Sequence, residues 1–303
     1  VVDHHAAEPQ LPEALAVVNP NRLDQAPGLG HLAAVGVAFL LAVALNRALR
    51  DSGWFKNGRD EPSLLALLDL VALGTVCDVV PIRGFNRSLV AQGLKVARHL
   101  RNPGIAALAV VAGVRERIDA YHLGFVLGPR VNAGGRVGQA DLGARLLSTN
   151  DPNEARQIAE QLDRHNLERR AIEDTLTIDA LNQAESVRAA DPIIIVDGEG
   201  WHPGVIGIVA SRLKDRFDRP ALVIGTDGAF GKGSARSVPG FDIGAAVIAA
   251  RQAGLLTNGG GHPMAAGLTG PANGGNQDGS DLSKATRLIK QLQEQLAKAK
   301  AEP

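Results

Sequence analysis

The chain has 303 residues, 45% apolar and 21% charged, which fits a soluble globular protein of about two domains. Lys plus Arg and Asp plus Glu both count 32, so no global basic excess marks a nucleic-acid binder, and any basic surface must be local. The one cysteine, Cys77, excludes an internal disulfide and fits a reducing cytoplasm, while 3% aromatic content leaves few platforms for base stacking.

Val1-Val2 reads as the end of a buried strand, and Asp3-His4-His5 follows it at the sheet edge, where α/β proteins place ligands. The chain opens at Val rather than Met, inside this strand, and reads as a piece of a longer protein. Leu29 to Leu49 is the most apolar stretch. Its uncharged part approaches membrane-spanning length, but Gly30, His31, Gly36 and the polar loop Asp51–Asp60 favour a buried core helix. Pro62 to Leu73 reads as a second buried helix, leading into a turn at Gly74–Asp78 and a stop at Pro81. Helical patterns follow at about 86–100, 103–112, 119–127 and 138–149.

Asp151-Pro152-Asn153-Glu154 is a helix start with the elements of a capping box. Helical composition runs from there to about Ala190 without Gly or Pro, roughly 55–60 Å at the α-helical rise. His165 and Arg169 interrupt its apolar stripe, which suits a strut between domains better than a coiled coil. Beyond Pro192 the pattern alternates. Strands are expected at Ile193–Val196, Ala221–Ile224 and Ala229–Ser237, with helices at Gly204–Phe217 and Phe241–Arg251. A glycine-rich loop at 259–261, a low-complexity loop at 270–280 and an amphipathic helix at Leu282–Lys300 complete the reading.

His4 and Asp78 are candidate metal ligands, because an imidazole with a carboxylate suits Mn²⁺ and the carboxylate also suits Mg²⁺. Asp78 sits in the apolar run Val76-Cys77-Asp78-Val79-Val80. Such an acid either holds a cation or is hydrogen-bonded internally, and the residues leave both readings open. Asp3 can orient a histidine, and His5 can contact a phosphate or assist a leaving oxygen. Gly231-Lys232-Gly233-Ser234-Ala235-Arg236 supplies a hydroxyl, a guanidinium and accessible amides, a phosphate-holding set. Gly259-Gly260-Gly261-His262 allows close backbone approach to a charged ligand. A third glycine-rich segment, Gly128–Arg136, offers Arg130, Asn132 and Arg136. His31, His99, His122 and His165 sit on helical patterns with no ligand-like partner nearby in sequence, and His202 precedes a helix whose entry turn it can fix.

These segments together resemble the RecJ branch of the DHH phosphoesterase superfamily. The resemblance is carried by Val1–His5, Ala72–Pro81, Gly128–Gly138, Glu199–Leu213, Gly231–Asp242 and Gly259–Gly267. It implies an α/β fold of two domains: the helix-rich C-terminal part of a DHH parallel-sheet domain (1–150) and a smaller α/β DHH-associated substrate-binding domain (191–303), joined by a long helix (151–190). It implies a single-stranded-DNA-specific 5′→3′ exonuclease of DNA repair and recombination, using two Mn²⁺ or Mg²⁺ ions. On this resemblance His4 and Asp78 bind metal, while His5, with Asp3, lies beside the scissile phosphate. Ser234, Arg236 and Arg136 hold the terminal phosphate. Gly260, Gly261 and His262 lie near the strand, and Arg130 and Asn132 join the DNA-binding set. The implied partners are single-stranded DNA and a single-strand-binding protein or helicase, with no membrane, a monomeric chain and a cytoplasmic location. The acidic motifs that precede DHH in the family are absent from this sequence, so the metal site it carries is expected to be incomplete. Two other readings share parts of the signal: a DHH phosphodiesterase of short oligonucleotides or cyclic dinucleotides, and a non-catalytic DNA-binding replication scaffold.

Overall fold

Small residues set the spacing of the N-terminal helices. The computed structural model describes residues 1–7, 9–26, 28–186, 191–272 and 282–301. The chain divides into two compact units, Val1–Asn166 and Leu167–Pro303, with the division inside one helix.

In the first unit Val2 pairs with Val18 in an isolated parallel bridge, with Asp3 N donating to Val18 O at 3.1 Å. Helix α1 runs Ala34–Asp51. The expected burial of this stretch is corrected: Val37 is buried, but Leu41, Val43 and Leu45 are exposed. A helix apolar all round conceals which of its faces packs. A 3₁₀ turn at Leu64–Leu67 precedes α2 (Leu68–Cys77), so Pro62 does not open the helix. The expected turn at Gly74–Asp78 is also corrected. Gly74 lies within α2, and it is glycine because Val35 packs against it; a Cβ there would meet Val35 Cγ1 at 2.8 Å. Helix α3 (Gly84–Ala97) crosses α2 at Gly93, where a Cβ would fall 2.1 Å from Leu68 O.

Helix α4 (Pro103–Val111) is capped by Asn102, whose Oδ1 accepts from Ile105 N at 3.0 Å. A π-helical segment, His122–Leu127, runs directly into α5 (Gly128–Val137). The glycine-rich 128–136 segment is therefore helix. Its glycines admit neighbours: a Cβ on Gly128 would meet Cys77 Sγ at 2.4 Å, and one on Gly134 would meet Gln139 O at 2.6 Å. After α6 (Leu142–Ser148), Ile105, Leu108, Leu123, Leu127, Leu142, Leu146 and Leu162 form the centre of this unit's core.

Helix α7 spans Pro152–Ser186, and residues 187–190 of the expected helix lie outside the described residues. Asp151 Oδ1 accepts from Asn153 N at 2.8 Å, but Glu154 accepts from Thr149 Oγ1 rather than closing a box on Asp151. The helix's first half buries Ala155, Ile158 and Leu162 in the first unit, and its second half buries Leu176, Ala180 and Ala184 in the second. Its apolar stripe is broken at Arg169 because Arg169 pairs with buried Glu173 one turn on, and Arg212 also reaches Glu173.

The second unit is a mixed five-stranded sheet, β1 (Ile194–Glu199), β2 (Ala221–Asp227), β3 (Phe230–Arg236), β4 (Asn258–His262) and β5 (Ala265–Pro271), in the order β1-β2-β3-β5-β4. Only β1–β2 is parallel. Helix α8 (Pro203–Phe217) follows β1 and packs on β2 and β3. Helix α9 (Ile243–Gln252), capped by Asp242, buries Ile243, Ala246 and Val247 with Leu222, Ala235, Phe241 and Leu268. Helix α10 (Leu282–Ala301) adds Ile289 to the same core. The expected glycine loop at 259–261 is an edge strand. Glycine's weak strand preference hid it from the sequence pattern. Close packing requires it: a Cβ on Gly259 would meet Val247 Cγ1 at 2.8 Å, and one on Gly261 would meet Ala266 Cα at 2.5 Å. Residues 270–271 of the expected loop belong to β5, and 273–280 lie outside the described residues. Among the described residues no helix is long and apolar enough to cross a membrane.

Candidate metal centre and phosphate-binding face

Helix α2 ends where the chemistry begins. Asp78 is its C-cap residue, and Val79 beyond it adopts φ 58°, a left-handed conformation unfavourable for a β-branched side chain. That turn stops the helix and leaves the Asp78 carboxylate at its tip. His4 Nε2 lies 3.3 Å from Asp78 Oδ2, with the two side chains 14% and 37% exposed. Adjacent ligands of an octahedral ion with bonds of about 2.0–2.1 Å sit about 3 Å apart, so this pair has the span to share one cation. The donor types, imidazole and carboxylate, also fit Mn²⁺ or Mg²⁺. Among the described residues no third His, Cys, Asp or Glu completes a cluster with them.

Asp3 holds the two histidines in place. Its Oδ1 accepts from His4 N at 2.8 Å and from His5 N at 3.3 Å, and lies 2.7 Å from His5 Nδ1. Burial would raise the Asp3 carboxyl, but these hydrogen bonds and the His5 charge bring it below its ordinary value. His5 Nδ1 is thereby committed to Asp3. Sequence reasoning missed the asparagines behind this triplet. Asn19 Nδ2 donates to His5 O at 2.9 Å, and Asn21 Nδ2 donates to His4 O at 2.7 Å and to Gly30 O at 2.9 Å. Buried Asn86 donates to His31 O at 2.6 Å and Pro81 O at 3.1 Å, tying the chain after Asp78 to the same loop. The signal was present in Asn19-Pro20-Asn21, a polar run directly after Val17-Val18. Cys77 is held against the π-helical segment: its Sγ reaches Leu123 O at 3.5 Å, and burial, followed by the Asp78 charge, pushes the thiol up to about 11.

In the second unit, strand alternation puts Ser234 and Arg236 on one face of β3. Arg236 Nη1 lies 3.2 Å from Ser234 Oγ and donates to Ala235 O at 2.8 Å. Helix α8 approaches them at Gly207, where a Cβ would meet Ser234 Oγ at 2.9 Å. Register places Gly267 and Gly260 beside Ser234, and Ala265 and His262 beside Arg236. Gly261, one residue out of phase with Gly260, belongs to the opposite face and lies against Gly244 of α9. A cavity of about 500 Å³ opens on this sheet and includes Ser234, Gly260 and Gly267 in its lining.

Sequence comparison finds the DHHA1 domain over residues 190–298. A relative named single-stranded-DNA-specific exonuclease RecJ, from Dickeya dadantii, is 44% identical over 279 residues, covering 89% of this chain and 48% of its own length. The RecJ structure from Thermus thermophilus in complex with Mn²⁺ superposes with a TM-score of 0.77 at 32% identity, covering 98% of this chain and 40% of that one. A second structure, of exonuclease RecJ bound to manganese, matches with a TM-score of 0.71 at 32% identity, and this chain covers 68% of it. The chain belongs to the RecJ family. It spans about half the length of the curated RecJ relatives first matched.

The remaining candidates fall on α5, which starts beside Cys77. Arg130 is engaged locally: its Nε donates to Asp163 Oδ1 at 2.8 Å and its Nη1 to Val126 O at 2.7 Å. Asn132 is exposed and Arg136 half-buried, one helical turn apart. His122 corrects the expectation that it lacks partners: Nδ1 lies 2.7 Å from Asp119 Oδ1 and Nε2 lies 3.1 Å from Glu116 Oε1. His31 lies in a turn rather than on a helix. His202 Nδ1 accepts from Gly204 N at 3.1 Å, which fixes the entry turn of α8.

Proposed function

We propose that the whole protein carrying this chain is a single-stranded-DNA-specific 5′→3′ exonuclease acting in DNA repair and recombination. The observation that carries this reading is the His4–Asp78 pair at 3.3 Å, within a chain of the RecJ family. The relatives' names specify single-stranded DNA, and related structures hold Mn²⁺ or Mg²⁺, which supports the same choice of substrate and ions here. His4 Nε2 and the Asp78 carboxylate would hold one of two such cations; when bound, these ions lower the pKa of a water and stabilise charge on the phosphoryl oxygens.

The chain's own groups do the rest. Asp3 orients His5, which delivers a proton from Nε2 to the departing oxygen. Ser234 and Arg236 hold the terminal phosphate with a hydroxyl and a guanidinium, and this fixes the strand end. Gly260 and His262 lie along that face, Gly261 spaces it from α9, and Arg130, Asn132 and Arg136 of α5 supply further polar contacts to DNA. On this reading residues 1–150 are catalytic, 151–190 connect, and 191–303 bind substrate. The protein would work as a cytoplasmic monomer alongside a single-strand-binding protein or helicase.

The test is digestion of 5′-phosphorylated single strands by the whole protein with Mn²⁺. Nucleotides should be released from the 5′ end, duplex should resist, and His4→Ala should abolish the activity. Digestion undiminished in His4→Ala, or equal digestion of duplex, refutes the proposal.

A further inference from the structure

His4 lies two residues past the Val2–Val18 bridge, and Asp78 is the C-cap of α2. Both stand at the ends of their elements, so neither element by itself sets the distance between them. Two asparagines span that gap, each with both hydrogens of its amide nitrogen. Asn21 Nδ2 donates to His4 O at 2.7 Å and to Gly30 O at 2.9 Å. Asn86 Nδ2 donates to His31 O at 2.6 Å and to Pro81 O at 3.1 Å. Gly30 and His31 are consecutive, and Pro81 follows Asp78 by a few residues. The bonds close a circuit. It runs from His4 through Asn21 to Gly30-His31, through Asn86 to Pro81, back along the chain to Asp78, and across 3.3 Å to His4 Nε2.

We propose that Asn86 of α3, acting through this circuit, is a positioning residue for the cation shared by His4 and Asp78. The inference rests on the reading of those two side chains as metal ligands. Asn86 acts at one remove, because its partners are backbone carbonyls of the segments that carry the ligands.

Three observations carry it. Asn86 is fully buried, and among the described residues its Oδ1 has no hydrogen-bond partner. An idle buried acceptor is costly, so packing alone would favour an apolar side chain there. What the amide adds is a bond to each of two separate segments. Asn21, on the other side of the circuit, is itself fixed: Asn19 Oδ1 accepts from its N at 2.8 Å, and a Cβ on Gly30 would collide with its Oδ1. A shift at Asn86 is therefore passed on to His4 rather than absorbed. Two ligands of one small cation tolerate little change in span, and the groups that orient such ligands govern affinity for the ion.

The whole protein tests the proposal, with Mn²⁺ as titrant in calorimetry and the metal-free thermal melt as the measure of folding. Asn86→Leu keeps the branched shape and removes both donors. Asn21→Ala breaks the circuit at a half-buried position and decides the matter should Asn86→Leu fail to fold. Each should weaken Mn²⁺ binding by about 10–100-fold, the usual cost of losing support behind a metal ligand. The two act in series, so the double variant should bind no more weakly than the weaker single one. At saturating Mn²⁺, kcat should recover and KM for a 5′-phosphorylated single strand should stay unchanged. Arg22→Ala is the control. It removes a donor to Val17 O at 2.7 Å in the same loop, lies outside the circuit, and should leave Mn²⁺ affinity as it is. Unchanged Mn²⁺ affinity in a folded Asn86→Leu or in Asn21→Ala overturns the proposal. So does strict additivity in the double variant, a kcat that saturating Mn²⁺ fails to recover, or an equal loss in Arg22→Ala. His4→Ala binding Mn²⁺ as tightly as the unsubstituted protein would instead overturn the reading of the metal site.

Discussion

His4 and Asp78, on opposite sides of helices α1 and α2 in the sequence, meet with Nε2 and Oδ2 3.3 Å apart. The pair needs both the turn after α2 and the asparagine ties behind Asp3-His4-His5. Asp78→Asn keeps the shape and removes the charge. Mn²⁺ affinity of the whole protein should fall at least ~10-fold, since affinity for hard cations follows the charge of the ligands. Calorimetric titration checks it, with an unchanged thermal melt as control. A variant that binds Mn²⁺ as tightly as the unsubstituted protein would remove Asp78 from the site.

Gly93→Ala should destabilise the first unit. The added methyl would stand 2.1 Å from Leu68 O and 2.5 Å from Ala72 Cβ, so α2 and α3 must separate. Overpacking of this kind costs ~1–3 kcal/mol, measurable by urea unfolding. An unaltered midpoint would mean that the two helices are not held this close.

Glu173→Ala should destabilise the second unit by ~3–5 kcal/mol, because it deletes the buried carboxylate that both Arg169 and Arg212 approach. The double variant Arg169→Met with Glu173→Met removes both charges and should recover most of the loss. A double variant as weak as the single one would contradict this account. Denaturant unfolding of the three proteins makes the comparison.

The His122 clamp predicts a pH window. Burial pulls its imidazole down, but hydrogen bonds and charge from Asp119 and Glu116 outweigh it and hold the group above its ordinary 6.5. Folded-state elevation stabilises fully below 6.5 and is lost as pH rises through the folded value. Hydrogen bonds to His122 hold the Glu116 and Asp119 carboxyls below their ordinary 4.5 and 3.8, so their contribution is present above those values and lost in more acid solution. Thermal stability should therefore decline from pH 6 toward pH 8, and His122→Gln should flatten that decline. Parallel profiles for the two proteins would exclude the clamp as its source.

Much was legible in the chain alone because it depends on local chemistry. The Asp151-Pro152 start, the helical run through Ser186, strands β1 to β3 and the amphipathic α10 follow from capping, periodicity and branched residues. So do the residue types of the site: Asp3-His4-His5, the lone Asp78, and the Ser234–Arg236 alternation. Glycine was the main source of error. In 259–261 it looked like loop, yet the segment is an edge strand, and the glycine-rich 128–136 segment is helix. The reason is that glycine's purpose there is to admit a neighbour such as Cys77 or Val247, and a neighbour is a tertiary fact.

Burial belonged to the tertiary structure alone. The uniformly apolar α1 could not reveal its exposed face, and although Asp119 and Glu173 stand at helical spacing from His122 and Arg169, only packing buries those pairs. The sequence by itself determined which groups can bind a cation or a phosphate, since that is set by side-chain chemistry. Only packing decided which of them meet, because distances between remote residues arise from helix crossings and sheet register that no local pattern encodes.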